Sequence, residues 1–275
     1  MAEKLTTAIH PTAIVAAGAV IGEGTTVGPY SIIGPHVVLG RNNRVAPHVV
    51  IEGHTRIGDD NTIYQFASVG AAPQDLKYRG EPSELIIGNR NIVREYVTLQ
   101  PGTEGGGMLT SIGDQNLFMA NTHVGHDSRV GSRCVVANGA ALAGHVTVAD
   151  GVIIGGLSGI HQFVKLGSVA MIGAGAMVAQ DIPPYCMAQG DRATIHGLNR
   201  VGLERNGGSK DDLAVLREVY RIVFTPSGVD EKVRVFKDRV AHARSLVGDN
   251  RRGVEFVEFL ERSERGVAPH HRAGE

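Results

Sequence analysis

Three short runs in this 275-residue chain carry the side chains best suited to chemistry: HVGHD from His123 to Asp127, LAGH from Leu142 to His145, and IHQF from Ile160 to Phe163. Imidazoles titrate near neutrality and can take a proton from a hydroxyl, and an adjacent carboxylate fixes the tautomer and raises the basicity. His126 followed by Asp127 makes such a pair. Gathered imidazoles are also zinc ligands, for which His123, His126 and His145 form a candidate set. Solvated corners would look the same, and His10, His36, His48 and His54 show that histidine alone means little in this chain. What gives the three runs weight is that Val124, Leu142 and Ile160 stand 18 residues apart.

That spacing belongs to a repeat of six. An aliphatic residue stands at every sixth position from Ile9 to Val69, the period resumes at Ile87, Val93 and Leu99, and a third series runs from Ile112 to Val178, with Phe118 the one aromatic. The total is 26 hexads. A small residue usually follows the aliphatic one, and a small or β-branched residue stands three places further on. Short strands joined by tight turns follow, three hexads to a coil, in a triangular prism with an aliphatic interior. Coils spaced ~4.8 Å apart give a prism about 40 Å long. The hexapeptide pattern predicts a mainly β fold, a left-handed parallel β-helix. After Pro183-Pro184 the period stops and helical patterns take over: Leu213, Leu216, Val219, Tyr220 and Val223, then Val229, Val233, Phe236, Val240 and Ala243, then Val254, Val257 and Leu260. Ser209 before Asp211-Asp212 reads as a helix start, and Ser227-Gly228 after Pro226 as a stop. We expect a β-helix domain over residues 1–190 and a C-terminal α-helical domain over 191–275.

Composition agrees. The 37 glycines are about 13% of the chain, aromatics are 5%, and there is no Trp, as tight turns around a narrow core require. No apolar run is long enough to span a membrane and the first residues lack a signal-peptide core, so the chain reads as cytoplasmic with no integral membrane segment. Cys134 and Cys186 make neither a disulfide framework nor a zinc ribbon. A net charge of -1 argues against nucleic-acid binding.

The period breaks twice. Twelve extra residues lie between Val69 and Ile87, and seven between Leu99 and Ile112, so loops are expected at about 71–86 and 100–111. They follow hexads 11 and 14, while the three histidine runs belong to hexads 17, 20 and 23. With three hexads per coil, all five share one corner of the prism. His123, His126, His145 and His161 therefore converge beneath two loops, and a site is the natural reading.

At this point the chain resembles the UDP-N-acetylglucosamine O-acyltransferases of lipid A synthesis. The resemblance rests on the hexads, the loop QDLKYRGEP, the run NTHVGHD, the pairs AGHV and IHQF, and the segment AQDIPPYCMAQGDRA, and it spans nearly the whole chain. It implies transfer of an R-3-hydroxyacyl chain from acyl carrier protein to the 3-hydroxyl of the sugar nucleotide, with no metal and no cofactor beyond the thioester donor. His126 would be the general base, Asp127 its support, and the Gly144 N–H an oxyanion donor. Gln74, Asp75, Lys77, His123, His145, His161, Gln162, Asn199 and Arg205 match positions around the sugar nucleotide or the pantetheine arm. Read alone, Lys77 and Arg205 are solvated charges. Ala174 and Arg192 match positions that govern acyl length, and Ala174 in place of Gly would shorten the preferred chain. Val201 stands where an acidic residue often contacts the nucleotide. The family implies a homotrimer with sites between subunits.

Residues 1–186 hold 11 of the 27 Lys and Arg. The other 16 suit docking of an acidic carrier protein on the helical domain, although salt bridges with the 12 Asp and Glu of residues 209–275 would account for them equally. Two rival activities fit the same features: acylation of a 3-amino sugar nucleotide by a related hexapeptide enzyme, and the zinc chemistry of β-helical carbonic anhydrases. The N-acyl enzyme acting later in the same pathway usually carries an extra N-terminal domain, for which there is no room before Ile9.

Overall fold

The computed structural model describes residues 7–225 and 235–271. Each aliphatic position of the repeat is the last residue of a short strand, from β1 (Ala8–Ile9) to β26 (Met177–Val178). Every third strand pairs in parallel, giving three sheets: A begins with β1, B with β2 (Ile14–Val15) and C with β3 (Val20–Ile21). The aliphatic side chains point inward and are buried from Val27 upward. Backbone groups pair with the coils above and below, so only the two ends leave an edge.

The corners explain the small-residue rule. At most turns the fourth residue of the hexad adopts a left-handed conformation, with φ near 60° at Tyr30, His48, Asp127 and His145. Such a φ is costly for a residue with a Cβ, and stacking offsets it: the corner N–H donates to a carbonyl one coil earlier, as from His145 to His126 O at 2.9 Å. Where the second residue of the hexad is glycine, the neighbouring coil lies against it and leaves no room for a side chain. A Cβ on Gly125 would meet backbone atoms of Leu142, Ala143 and Gly144 at 2.8 to 2.9 Å.

The interior is not wholly aliphatic. Along the C–A corner, Asn43, Asn61, Asn91 and Asn116 are buried in a column. Each side-chain oxygen accepts the backbone N–H of the next member, at 2.9 Å from Asn61, 2.8 Å from Asn91 and 2.9 Å from Asn116, and the Asn116 oxygen accepts from Cys134 N at 2.7 Å. These amides replace inward methyls because the column satisfies nearly every polar atom it buries.

Sheet A continues beyond the repeat. Strand β27 (Cys186–Gln189) pairs in parallel with β25 (Met171–Ile172), and β28 (Thr194–Leu198) turns back antiparallel to it. Sheet structure thus runs eight residues past 190, where the loss of period suggests helix. The end is covered by α1 (Arg200–Arg205), α2 (Lys210–Phe224), α3 (Phe236–Leu246) and α4 (Arg251–Glu261). Ser209 and Asp212 form a capping box at the start of α2, as the sequence predicts. The expected helical positions Val229 and Val233 and the stop signal at 226–228 lie outside the described residues. Asp181 ties the layers together, accepting from Lys165 N at 2.8 Å and Ser263 Oγ at 2.7 Å. No helix among the described residues is long and apolar enough to cross a membrane.

Candidate active site

Strands β17 (His123–Val124), β20 (Ala141–Leu142) and β23 (Gly159–Ile160) are successive neighbours in sheet B. Their following turns therefore stack at the B–C corner, the corner both loops leave. Asp127 is buried there, and its carboxylate is fully engaged. Oδ1 accepts from Thr103 N at 2.8 Å, while Oδ2 accepts from Thr103 Oγ1 at 2.7 Å and from His126 Nδ1 at 2.8 Å. The Asp127 N–H donates to Thr110 Oγ1 at 2.7 Å. Thr103 and Thr110 come from the two ends of the second loop, so the loop and the aspartate hold each other.

A carboxylate in that position accepts only, so His126 Nδ1 must carry the proton and Nε2 holds a free lone pair. The ring lies across Gly144: a Cβ there would stand 2.5 Å from His126 Cε1 and 2.6 Å from Nε2. Glycine is needed at 144 for the base to occupy its place. The Gly144 N–H has no acceptor among the described residues, which leaves it available to a developing oxyanion.

His145 meets His126 edge-on at 5.1 Å and stacks on Phe163 at 4.5 Å. Burial lowers the His145 pKa below the usual imidazole value, against the opposing pull of Asp127; His126, Asp75 and Lys77 also act on it. Those last two place the first loop over the corner. His123 accepts from or donates to Thr98 Oγ1 at 2.7 Å, and burial, aided by His126, lowers its pKa as well. Both imidazoles are therefore biased toward the neutral form. His161 is exposed, with Nδ1 2.8 Å from Arg265 Nη2. Gln74, Lys77 and Gln162 are exposed.

His126, Asp127 and His145 are the one group of three among the described residues whose ligating atoms lie within 4.8 Å of one another. Their bonding does not suit a cation. Asp127 already accepts three hydrogen bonds and His126 Nδ1 is one of the donors, so ligation would break the triad's internal contacts. His123 is not in the group, and the sequence-derived zinc set does not assemble.

A groove of about 1000 Å³ starts at His123 and runs up sheet B over Ala141 and Gly159 to Met177, with His161 beside it and Arg192 at its far end. Ala174 lies elsewhere in the single chain. It lines a second cleft of about 980 Å³, shared with Arg192, His196 and Arg239. Asn199 and Arg205 are also remote from the histidines. Asn199 caps α1 through Gly202 N at 2.9 Å and donates to Val169 O at 2.8 Å, at the C–A corner, while Arg205 is exposed at the end of α1. Val201 is exposed on the same helix.

Sequence reading missed Thr103, Thr110, Thr98 and Glu81. Glu81 is in the first loop, and its carboxylate accepts from Glu104 N at 3.1 Å in the second. The signal available was the position of Thr103 and Thr110 in an insert leaving the histidine corner. His54 also comes nearer the first insert than expected, paired with Glu84 and stacked on His36 at 4.5 Å.

Comparison with known proteins bears on the family and the fold. Residues 181–268 match the family model for domain 2 of UDP-N-acetylglucosamine O-acyltransferase, and residues 18–53 and 109–144 match the bacterial transferase hexapeptide model. The acyl-[acyl-carrier-protein]–UDP-N-acetylglucosamine O-acyltransferase of Burkholderia orbicola is 48% identical, over 95% of this chain and 99% of that protein. Its namesake from Aliarcobacter butzleri is 46% identical, over 94% and 97%. The structure of LpxA from Acinetobacter baumannii superposes with a TM-score of 0.89 at 44% identity, over 94% of this chain and 99% of that one. With identity at this level over nearly the full length, the fold is the left-handed parallel β-helix with a small helical C-terminal part, and the chain belongs to the UDP-N-acetylglucosamine O-acyltransferase family.

Proposed function

We propose that this enzyme transfers an R-3-hydroxyacyl chain from acyl carrier protein to the 3-hydroxyl of UDP-N-acetylglucosamine, in lipid A synthesis. The observation that carries the mechanism is the His126–Asp127 pair lying over Gly144. A sugar hydroxyl is a poor nucleophile at neutral pH. His126 Nε2 accepts its proton as the oxygen attacks the thioester carbonyl. Asp127 holds the ring and stabilises the charge that forms on it. The Gly144 N–H faces the tetrahedral oxyanion. Collapse breaks the C–S bond, the proton passes from His126 to the leaving sulfur, and the ester and the free carrier thiol result. Each step uses the protein's own groups.

Gln74, Asp75 and Lys77 hold the sugar nucleotide from above, with Lys77 as a point charge for the diphosphate. His123, His145, His161 and Gln162 line the approach of the two substrates. The groove beyond His123 takes the acyl chain, because its floor is apolar and begins beside the base.

The working unit is a homotrimer. Of the outward rows, that of sheet C carries Arg56, Arg129 and Lys165, while those of A and B are mainly apolar, with Ile14, Ile32, Ile92, Met171 and Met177 exposed. The A–B edge carries an exposed stack of Tyr30, His48, Phe66 and Tyr96 at 5.1 to 5.4 Å spacing. Packing sheet A of one copy on sheet B of the next covers these surfaces. It also brings one copy's C–A corner, with Asn199 and Arg205, toward its neighbour's histidines, and Ala174 toward the groove.

Mass spectrometry of products from UDP-N-acetylglucosamine with a panel of hydroxyacyl carrier proteins tests the reaction. An O-linked ester at the 3-position is expected. Turnover only of a 3-amino sugar nucleotide would refute the acceptor, and stoichiometric zinc in the active protein would refute the metal-free mechanism.

A further inference from the structure

The outward residues of sheet B form a ladder in strict register: His123 beside Ala141, Ala141 beside Gly159, and Gly159 beside Met177. The two middle rungs are nearly bare, one with a methyl and one with none. The fourth carries a long thioether that remains 47% exposed. Its sulfur does not point away from the path. A Cβ on Gly159 would stand 2.8 Å from Met177 Sδ and 3.7 Å from its Cε, so the side chain lies back along the floor over the glycine. Above it the backbone closes: Met177 N donates to Gly190 O at 3.0 Å, and Ala193 N donates to Met177 O at 3.0 Å. Asp191 and Arg192 occupy the turn between, a polar end to an apolar path.

The geometry points to Met177 as the residue that sets how far an acyl chain extends along the groove of its own subunit. This rests on the acyl-transfer reading above and adds a length determinant to it. Strands lie ~4.8 Å apart, and an extended alkyl chain built from ~1.5 Å bonds advances about 1.25 Å per carbon. One rung therefore corresponds to about four carbons. By lying over Gly159, Met177 withdraws one rung from the acyl tail. A thioether is flexible, so the stop is graded rather than absolute.

The test is competition between R-3-hydroxyacyl carrier proteins of stepped chain length, read by product mass, in the wild-type enzyme and in Met177→Ala and Met177→Leu. Met177→Ala should move the preferred donor two to four carbons longer and change the ratio of long to short kcat/KM by roughly tenfold or more. Its KM for UDP-N-acetylglucosamine should stay at the wild-type value. Met177→Leu, close in volume, should keep the native preference, which separates a length effect from damage to the fold. Gly159→Ala should act in the opposite sense, because its methyl drives the thioether further into the path. An unchanged length preference in an active Met177→Ala enzyme would overturn the assignment and leave acyl transfer standing. Absence of product from the wild-type enzyme with every donor would overturn acyl transfer itself.

Discussion

Along the C–A corner, Asn43, Asn61, Asn91 and Asn116 turn inward and bond to one another, coil after coil, with no insertion among them. Along the B–C corner of the same prism, Asp127, His145 and Phe163 occupy the left-handed turn positions, His126 lies beside them, and two loops interrupt the period. One repeat produces both edges. At the first, each polar side chain finds its partners in the adjacent coil. At the second, the neighbouring coil lays Gly144 and the edge of the His145 ring against His126, and His126 Nε2 has no hydrogen-bond partner among the described residues. The carboxylate that fixes the ring, Asp127, is itself held by Thr103, a loop residue outside the repeat. Polar groups in this fold add stability where the repeat closes on itself and reactivity where it is broken.

The comparison predicts two different kinds of damage. Removing the base should have the largest effect: His126→Ala is expected to lower kcat by at least ~100-fold with an unchanged thermal transition. A near-normal rate in the purified variant would end the case for the histidine corner as the catalytic one. Asn61→Ala should do the reverse. It leaves Asn91 N and Gly88 O without their partners, so unfolding free energy should fall by about 2 kcal/mol while kcat holds. A normal denaturation midpoint would show the column to be incidental.

Thr103→Val removes the hydroxyl donor to Asp127 but leaves the backbone N–H in place. A smaller loss, about tenfold in kcat, is expected with little change in KM for either substrate. Conversely, an effect confined to KM would make the second loop a substrate-binding element and not a support for the base.

The smallest effect is that of pH. Burial holds His123 and His145 below the ordinary imidazole value, so the folded chain binds fewer protons than the unfolded one as pH falls. Stability should therefore decline as pH drops below about 6.5, where unfolded imidazoles protonate. Chemical denaturation at pH 7.5 and 5 should show the decline, and a His123→Gln, His145→Gln double variant should reduce it. The deficit of Asn61→Ala should be the same at both pH values, because no titrating group belongs to that column.

Much of this was legible before the structure. The period of six is local, so the strand positions, the three-sheet topology and the shared corner of loops and histidines follow from counting. The alignment of Asp127 with His145 and Phe163 is the same arithmetic. The asparagine column escaped because Asn at the fifth position of a hexad looks like any turn residue until its inward direction is known. Thr103 escaped because an insert has no period to fix where its side chains point. Asn199 and Arg205 are further from the histidines in one chain than their proposed roles require, a distance that sequence cannot express and that only assembly would close. Strands β27 and β28 carry too little alternation to distinguish them from the helical segment they precede.

The contact between Thr103 and Asp127 also has a consequence in time. Thr103 leaves the ribosome 24 residues ahead of Asp127, and the strands of this fold can be laid down in the order in which they are made. The loop therefore gains its anchor only when the carboxylate arrives, and His126, next to Asp127 in the chain, gains its oriented ring in the same step. A nascent chain stalled short of Asp127 would have the lower coils of the prism and no oriented base.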